Sequence, residues 1–197
     1  TEPTMMELMN YRFPEGINQG HSFGNLFLAA LNGITGSFEE AVTRMNEVLA
    51  VTGKVLPVTN ANVDLVADFE NGASVVGESK IAAKKKQQNC RIHQVRLEPQ
   101  KPKALPHAID AILSADMIIL GPGSLYTSII PNLLVDGIVQ ALEKSKAPKI
   151  YVLNIMTQDG ETEGYTAFDH LHALLQHSAP HLVDACIYNT APVPDPI

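Results

Sequence analysis

Twenty residues, Asp116–Val135, constrain this chain more than any others: DMIILGPGSLYTSIIPNLLV. Met117–Leu120 is a run of large apolar residues, the pattern of a strand buried on both faces of a parallel sheet. It stops at Gly121-Pro122-Gly123-Ser124. Leu125–Ile130 then leads to Pro131, which suits the first turn of a helix because it has no N–H to lose there. The pattern predicts that helix over about Asn132–Glu143. Strand, glycine loop and helix, in that order, aim free backbone N–H groups and a positive helix end at an anion. Two glycines let a ligand come close to the backbone, and Ser124, Tyr126, Thr127 and Ser128 surround them with hydroxyls. A phosphate-bearing ligand at Gly121, Gly123, Ser124, Tyr126 and Thr127 is one reading. A turn that only connects a strand to a helix is the other, since short glycine motifs recur without function.

A chain of 197 residues is enough for one good core, so the expectation is a single α/β domain over 1–197. With 45% hydrophobic and 18% charged residues, the composition is that of a globular protein. The net charge of −7 argues against a general nucleic-acid binder, which would carry a basic surface. Cys90 and Cys186 are the only cysteines. Without CxxC spacing they point to neither a zinc site nor a disulfide framework, which fits a reducing cytoplasm. No apolar run approaches the roughly 20 residues of a membrane span, and TEPTMMELMN lacks the order of a signal peptide. The first residue is Thr1 and not Met, so the chain is read as part of a longer protein.

Residues 1–20 predict no firm element. Ser22 is a candidate N-cap for an apolar run, Leu26–Leu31, that reads as a buried helix ended by Gly33 and Gly36. Ser37 and Glu40 make a capping-box pattern for a second helix, with Ala41, Met45, Val48 and Leu49 on one face. Val55–Val58 reads as a short strand. Val63–Asp68 alternates as a strand with one wetter face, Asn71-Gly72 is a hairpin signal, and Ala73–Glu78 would return. Lys84–Asn89 is a polar connection, read as a solvated loop in preference to a basic patch. Ile92–Leu97 is a further strand. These make an antiparallel β insertion over about 54–98. A short helix follows over Ala108–Leu113. Ile150–Leu153 is a second buried strand that opens into a polar loop, Asn154–Gly164. Thr166 or an adjacent residue would cap a helix over Ala167–His177, Leu182–Tyr188 is a last strand, and the prolines at 192, 194 and 196 bar a helix after it. Ligands of open α/β sheets sit at the carboxyl ends of the strands, so the Gly121 and Asn154 loops should face one pocket.

The histidines at 170, 172, 177 and 181 lack HExxH spacing, and an exposed, partly packed helix accounts for them better than a metal does. Ser124 is not in a GxSxG elbow. Asp136, Asp159, Glu161 and Glu163 could hold Mg²⁺ beside a phosphate, although solvation is the commoner fate of such side chains. His21 and Asn25 share a helix face, for phosphate or sugar recognition or for capping and packing alike.

His21-Ser-Phe-Gly-Asn25, Thr52-Gly-Lys-Val-Leu-Pro57, Gly121–Ser128 with Pro131-Asn-Leu-Leu134, and Asn154–Gln158 through Gly160-Glu-Thr-Glu-Gly-Tyr165 resemble the YvcK-like gluconeogenesis factors. That family is similar in fold to the CofD-like 2-phospho-L-lactate transferases of deazaflavin cofactor synthesis. The resemblance covers nearly the whole chain. It implies a Rossmann-like, largely parallel sheet flanked by helices, carrying the antiparallel insertion, in a cytoplasmic bacterial homo-oligomer. It also implies roles in growth on gluconeogenic carbon sources, cell shape and cell-wall precursor metabolism, with binding of UDP-sugars such as UDP-N-acetylglucosamine. Carried onto this chain, Gly121, Gly123 and Ser124 would cradle phosphate, and Asn25, Asn154 and Thr157 would line the pocket. The resemblance leads to a nucleotide-sugar sensor without catalytic residues. The alternatives are a transferase that moves a phospholactate-type group onto a deazaflavin with Mg²⁺, and an oligomeric scaffold. The family's first strand and GGGTG loop do not occur in these residues, so Gly121–Ser128 is expected to be half of a site.

Overall fold

The computed structural model describes residues 3–191. The prolines at 192, 194 and 196 lie outside the described residues. The chain divides into two compact units, Thr1–Asn60 and Ala61–Ile197.

The first unit is helical. A helix, α1 (Pro3–Asn10), forms where none was expected, with Pro3 at its start, a place where a missing N–H costs nothing. In α2 (Phe23–Thr35) the Ser22 hydroxyl accepts the Asn25 N–H at 3.2 Å, as its N-cap position requires. The helix runs through Gly33 and ends at Gly36, whose φ of 70° closes the last turn onto Asn32. The expectation of a buried helix fails, since no residue of α2 is buried and Ile34 is 80% exposed. In α3 (Phe38–Val48) Ser37 caps Glu40, but the Glu40 carboxylate turns to Arg44 at 2.9 Å in place of a reciprocal capping bond. Val42 joins Ala41 in the buried face, while Val48 is exposed. Val55–Val58 forms no strand; Asn46 instead holds the Val55 carbonyl by a side-chain hydrogen bond of 3.1 Å.

The second unit carries both sheets. An antiparallel sheet has the order β2-β1-β3, from β1 (Asp64–Phe69), β2 (Ser74–Val76) and β3 (Ile92–Glu98). The Asn71-Gly72 turn joins β1 to β2, with the Asn71 side chain accepting the Ala73 N–H. Leu65, Ala67 and Phe69 are buried on one face of β1, while the other carries exposed Asp64 and half-buried Asp68 around buried Val66, so the wetter face is present as expected; β1 is the central strand and a helix packs on it. That helix, α4 (Glu78–Gln88), replaces the expected solvated connection and ends at Asn89 in the left-handed conformation.

A parallel sheet has the order β4-β5-β6, from β4 (Ile118–Leu120), β5 (Lys149–Val152) and β6 (Ala185–Ile187). The architecture is therefore α/β, with a parallel sheet and an antiparallel insertion. Met117 and Ile119 are more than half exposed, so β4 is not covered on both faces as its apolar run predicts. The single helix expected after Pro131 is broken. A π-helical turn, Leu125–Ile129, leads into α6 (Ile130–Leu133), and α7 (Ile138–Lys144) follows separately. The break has a backbone cause: Asp136 donates its N–H to Pro102 and accepts one from Ala104, a bridge incompatible with helix. Gly137, with φ of 104°, restarts the chain as α7. α5 (Pro106–Ser114) packs on α7. Among the described residues no helix is long and apolar enough to cross a membrane.

The last helix, α8 (Ala167–Gln176), has the reciprocal Thr166–Asp169 capping box. Its end is fastened to β3 by His177, whose Nε2 accepts the Val95 N–H at 3.0 Å while Nδ1–H donates to the Ala173 carbonyl at 2.7 Å. That Val95 donor fixes the neutral tautomer. Burial pushes the His177 imidazole below its ordinary value. The unfolded chain therefore binds a proton more readily than the folded one, near pH 6.5. The stability this group contributes is complete above that pH and is lost as pH falls toward the folded value. His177→Ala should cost about 1–3 kcal/mol by leaving Val95 N–H unpaired. It should also flatten the wild-type decline in stability as pH falls below about 6.5, as read from urea midpoints at successive pH values.

Candidate functional site

The carboxyl ends of the adjacent parallel strands β4 and β5 open into Gly121–Ser124 and Asn154–Gly164. These loops face each other and are bonded to each other. The Asn154 carboxamide bridges Gly123 in both directions, accepting its N–H at 2.9 Å and donating to its carbonyl at 3.0 Å. Ser124 Oγ donates to Gln158 Oε1 at 2.7 Å. Behind them Glu161 takes the Tyr126 N–H at 3.2 Å and the Thr127 hydroxyl at 2.6 Å, and Gln158 Nε2 donates to it at 3.3 Å. The sequence correctly places the two loops together, but much of the polar set nominated for a ligand is spent holding the loops.

The two glycines have different reasons to be there. Gly121 has φ of 84°, and a Cβ on it would stand 2.6 Å from the Val152 carbonyl oxygen. That position admits glycine alone. Gly123 is free of both constraints, since a Cβ there would meet Ile129 Cγ1 and Ser128 Cβ at 3.7 Å each, ordinary contact. Next to it, the backbone N–H groups of Ser124 and Leu125 have no acceptor among the described residues.

Glu161, expected at a solvated surface, is 2% exposed. Burial raises its carboxyl, and the hydrogen bonds from Thr127 and Tyr126 only partly oppose this. Such a group favours folding most when protonated, and its contribution declines as pH rises through the window between the unfolded and the raised folded value. Asp159 is exposed, as the solvated reading expects, and pairs with Lys86 of α4, while Glu163 is half-buried and pairs with Lys85. Burial alone would raise Glu163, but the Lys85 ammonium and the Gly160 N–H outweigh it and hold the carboxyl at about 2. That contribution is present above the unfolded value and lost as pH falls toward 2. Gly160 sits against α4 where any Cβ would meet Ala82 at 2.7 Å. The lysine run is therefore one half of a clamp on the Asn154 loop. A signal for it exists in the sequence: good helix formers over Ile81–Gln88 followed by Asn89, a helix-ending residue.

Asp136 pairs with Lys103 at 2.6 Å. Each of the four carboxylates is thus committed to a protein cation or donor, which does not match the open oxygen set that Mg²⁺ takes. His170 is 7% exposed, with Nδ1 against the Thr166 carbonyl at 2.8 Å. With His177 bonded to β3, two of the four histidines belong to packing, which corrects the expectation of a mostly exposed helix. Among the described residues no three His, Cys, Asp or Glu side chains gather as metal ligands. Thr157 is exposed on the Asn154 loop. His21 and Asn25 are exposed residues of the first unit, and the geometry above is built from the second unit alone.

Glu161→Ala should strand the Tyr126 N–H and the Thr127 hydroxyl and cost about 2–5 kcal/mol in denaturant unfolding. Glu161→Gln, whose amide can accept from Tyr126 and donate to a rotated Thr127 hydroxyl, should cost less than half of that. Gly121→Ala should destabilise by about 2 kcal/mol or more; Gly123→Ala should leave the unfolding midpoint nearly unchanged.

Known proteins share this arrangement of elements. The family described as 2-phospho-L-lactate transferase CofD matches residues 1–197. A Thermoanaerobacterium thermosulfurigenes protein is 55% identical over 194 residues, covering 98% of this chain and 60% of that protein. The gluconeogenesis factor of Bacillus subtilis (strain 168) is 49% identical over 197 residues, covering 100% of this chain and 61% of that protein. An X-ray crystal structure of a Bacillus halodurans protein superposes with a TM-score of 0.90 at 44% identity, covering 99% of this chain and 62% of that one. The chain therefore spans about three fifths of the length of these two curated relatives. It belongs to the CofD family, alongside relatives that bear the name gluconeogenesis factor.

Proposed function

We propose that this chain supplies one wall of a phosphate site in a cytoplasmic, homo-oligomeric gluconeogenesis factor. The ligand is a nucleotide sugar of the UDP-N-acetylglucosamine kind, bound as a signal that adjusts growth on gluconeogenic carbon, cell shape and cell-wall precursor supply. One observation carries the reading: Gly123 lacks a side chain that the fold would accommodate. A ligand pressed against the backbone supplies the reason that packing does not. The unpaired N–H groups of Ser124 and Leu125 beside it suit phosphate oxygens, at the carboxyl edge where open parallel sheets take ligands. Gly121, Asn154 and Gln158 keep the wall rigid, Tyr126 and Thr127 brace it through Glu161, and Thr157 stands exposed at its rim. Mg²⁺ would arrive with the phosphate and not on the protein's own carboxylates.

A transferase acting on a deazaflavin is the second reading, favoured by the description of the matching family. Such an enzyme would need carboxylates open toward the Gly121 loop. Glu161 is buried and the lysines of α4 hold Asp159 and Glu163, so the amide- and hydroxyl-rich wall supports the sensor.

Full-length protein should gain thermal stability with UDP-N-acetylglucosamine, by about 2.7 kcal/mol at 100 times the dissociation constant, and little with GTP or deazaflavin compounds. Gly123→Val should remain folded and lose at least about tenfold in affinity, or 1.4 kcal/mol. The absence of any shift at millimolar UDP-sugar would remove the nucleotide-sugar reading, and a shift with a deazaflavin alone would favour the transferase.

A further inference from the structure

A cavity of about 200 Å³ lies among the end of β1, the start of β3 and α8. Pockets for drug-sized ligands run from about 300 to 1,000 Å³, so this one suits a small metabolite better than a nucleotide sugar. Glu70, Arg91, His93, Tyr165, Asp169 and His172 line it.

Arg91 is its unusual member. The guanidinium carbon stands over the Tyr165 ring, 5.1 Å from the centroid, and the Tyr165 hydroxyl is fixed by Tyr126 at 2.9 Å. The facing carboxylate, Asp169 Oδ1, is 3.9 Å away, beyond hydrogen-bond reach. Asp169 is already oriented elsewhere, since its Oδ2 takes the Thr166 N–H and hydroxyl at 2.8 Å each to cap α8. An aromatic ring thus positions the guanidinium, and its N–H fork has no acceptor at hydrogen-bond distance among the described residues. That fork matches a carboxylate in bidentate geometry. Glu70 stands beside Arg91, its N–H donating to the Arg91 carbonyl at 3.1 Å, and its carboxylate forms no ion pair among the described residues. A simple anion entering here would meet two carboxylates, and a simple cation would meet Arg91. A molecule bearing both charges close together, as an α-amino acid does on one carbon, meets an opposite charge for each of its own, since Asp169 and Glu70 both adjoin Arg91.

We propose that this cavity binds a small zwitterion of the amino-acid class, with its carboxylate on Arg91 and its ammonium toward Glu70 and Asp169. The site is separate from the Gly121 wall, yet Tyr126 lines the cavity and belongs to the π-helical turn whose N–H is held by Glu161. A ligand resting against the Tyr165–Tyr126 pair therefore bears on the turn that braces the wall.

The test is calorimetric titration of the full-length protein with glycine, L-alanine and L-glutamate, using propionate and ethylamine as single-charge controls at matched ionic strength. At least one of the amino acids should bind below about 10 mM, with both controls at least tenfold weaker. Arg91→Gln should lose at least about tenfold in that affinity. Arg91→Lys, which keeps the charge and loses the fork, should not restore it. Glu70→Gln should weaken the amino acid while leaving propionate no weaker. Circular dichroism establishes that each variant is folded. Failure of all three amino acids to bind, propionate binding as tightly as L-alanine, or undiminished binding by folded Arg91→Gln would each overturn the assignment. Retained amino-acid binding by Gly123→Val separates this site from the phosphate wall.

Discussion

A carboxamide has an acceptor and donors on one rigid plane, so it can close a loop in both directions at once. Asn154 does this across Gly123, and the rest of the site depends on it. Two parallel strands lying side by side leave their following loops close together but unconstrained. The amide converts that proximity into fixed geometry, and Ser124–Gln158 and Thr127–Glu161 repeat the device further along the same pair of loops. Net gain from each bond is modest, about 1 kcal/mol. Their larger effect is that buried donors such as the Tyr126 N–H have one favourable arrangement, since leaving any of them unpaired costs more than pairing it gains.

The antiparallel insertion serves the same end. The chain leaves β2 for α4, and α4 turns Lys85 and Lys86 to the Asn154 loop while Ala82 receives Gly160. Two partly exposed ion pairs contribute little stability on their own. Joined to a contact that only glycine permits, they define where the loop lies. These contacts fix the position of the loop. That fixed position agrees with a binding role, in which a wall must be preformed for a ligand to recognise it.

Elements with strong local signals were legible in the sequence. The Asn71-Gly72 hairpin, the Ser22, Ser37 and Thr166 caps, and the strands β3 and β5 stand where their residues place them. So does the meeting of the Gly121 and Asn154 loops, because chain order and the carboxyl-edge rule determine it. What escaped was decided by tertiary partners. Asp136 breaks a helix because Pro102 and Ala104 capture its backbone, and no window around Pro131 contains those residues. Glu161 looks like any surface carboxylate until Thr127 and Tyr126, over thirty residues away, are brought to it. The lysine run reads as solvated because its partners Asp159 and Glu163 arrive from another loop. Gly121 and Gly123 are indistinguishable as letters, and only the Val152 carbonyl beside the first separates a structural glycine from one that packing does not demand.

The central claim is that phosphate approaches the backbone at Gly123 and Ser124. A crystal structure of the full-length protein with UDP-N-acetylglucosamine tests it most directly. The account predicts diphosphate oxygens within about 3.2 Å of the Ser124 or Leu125 N–H, with the Asn154 bridge to Gly123 intact. A diphosphate bound elsewhere while Gly123 still faces solvent would contradict it.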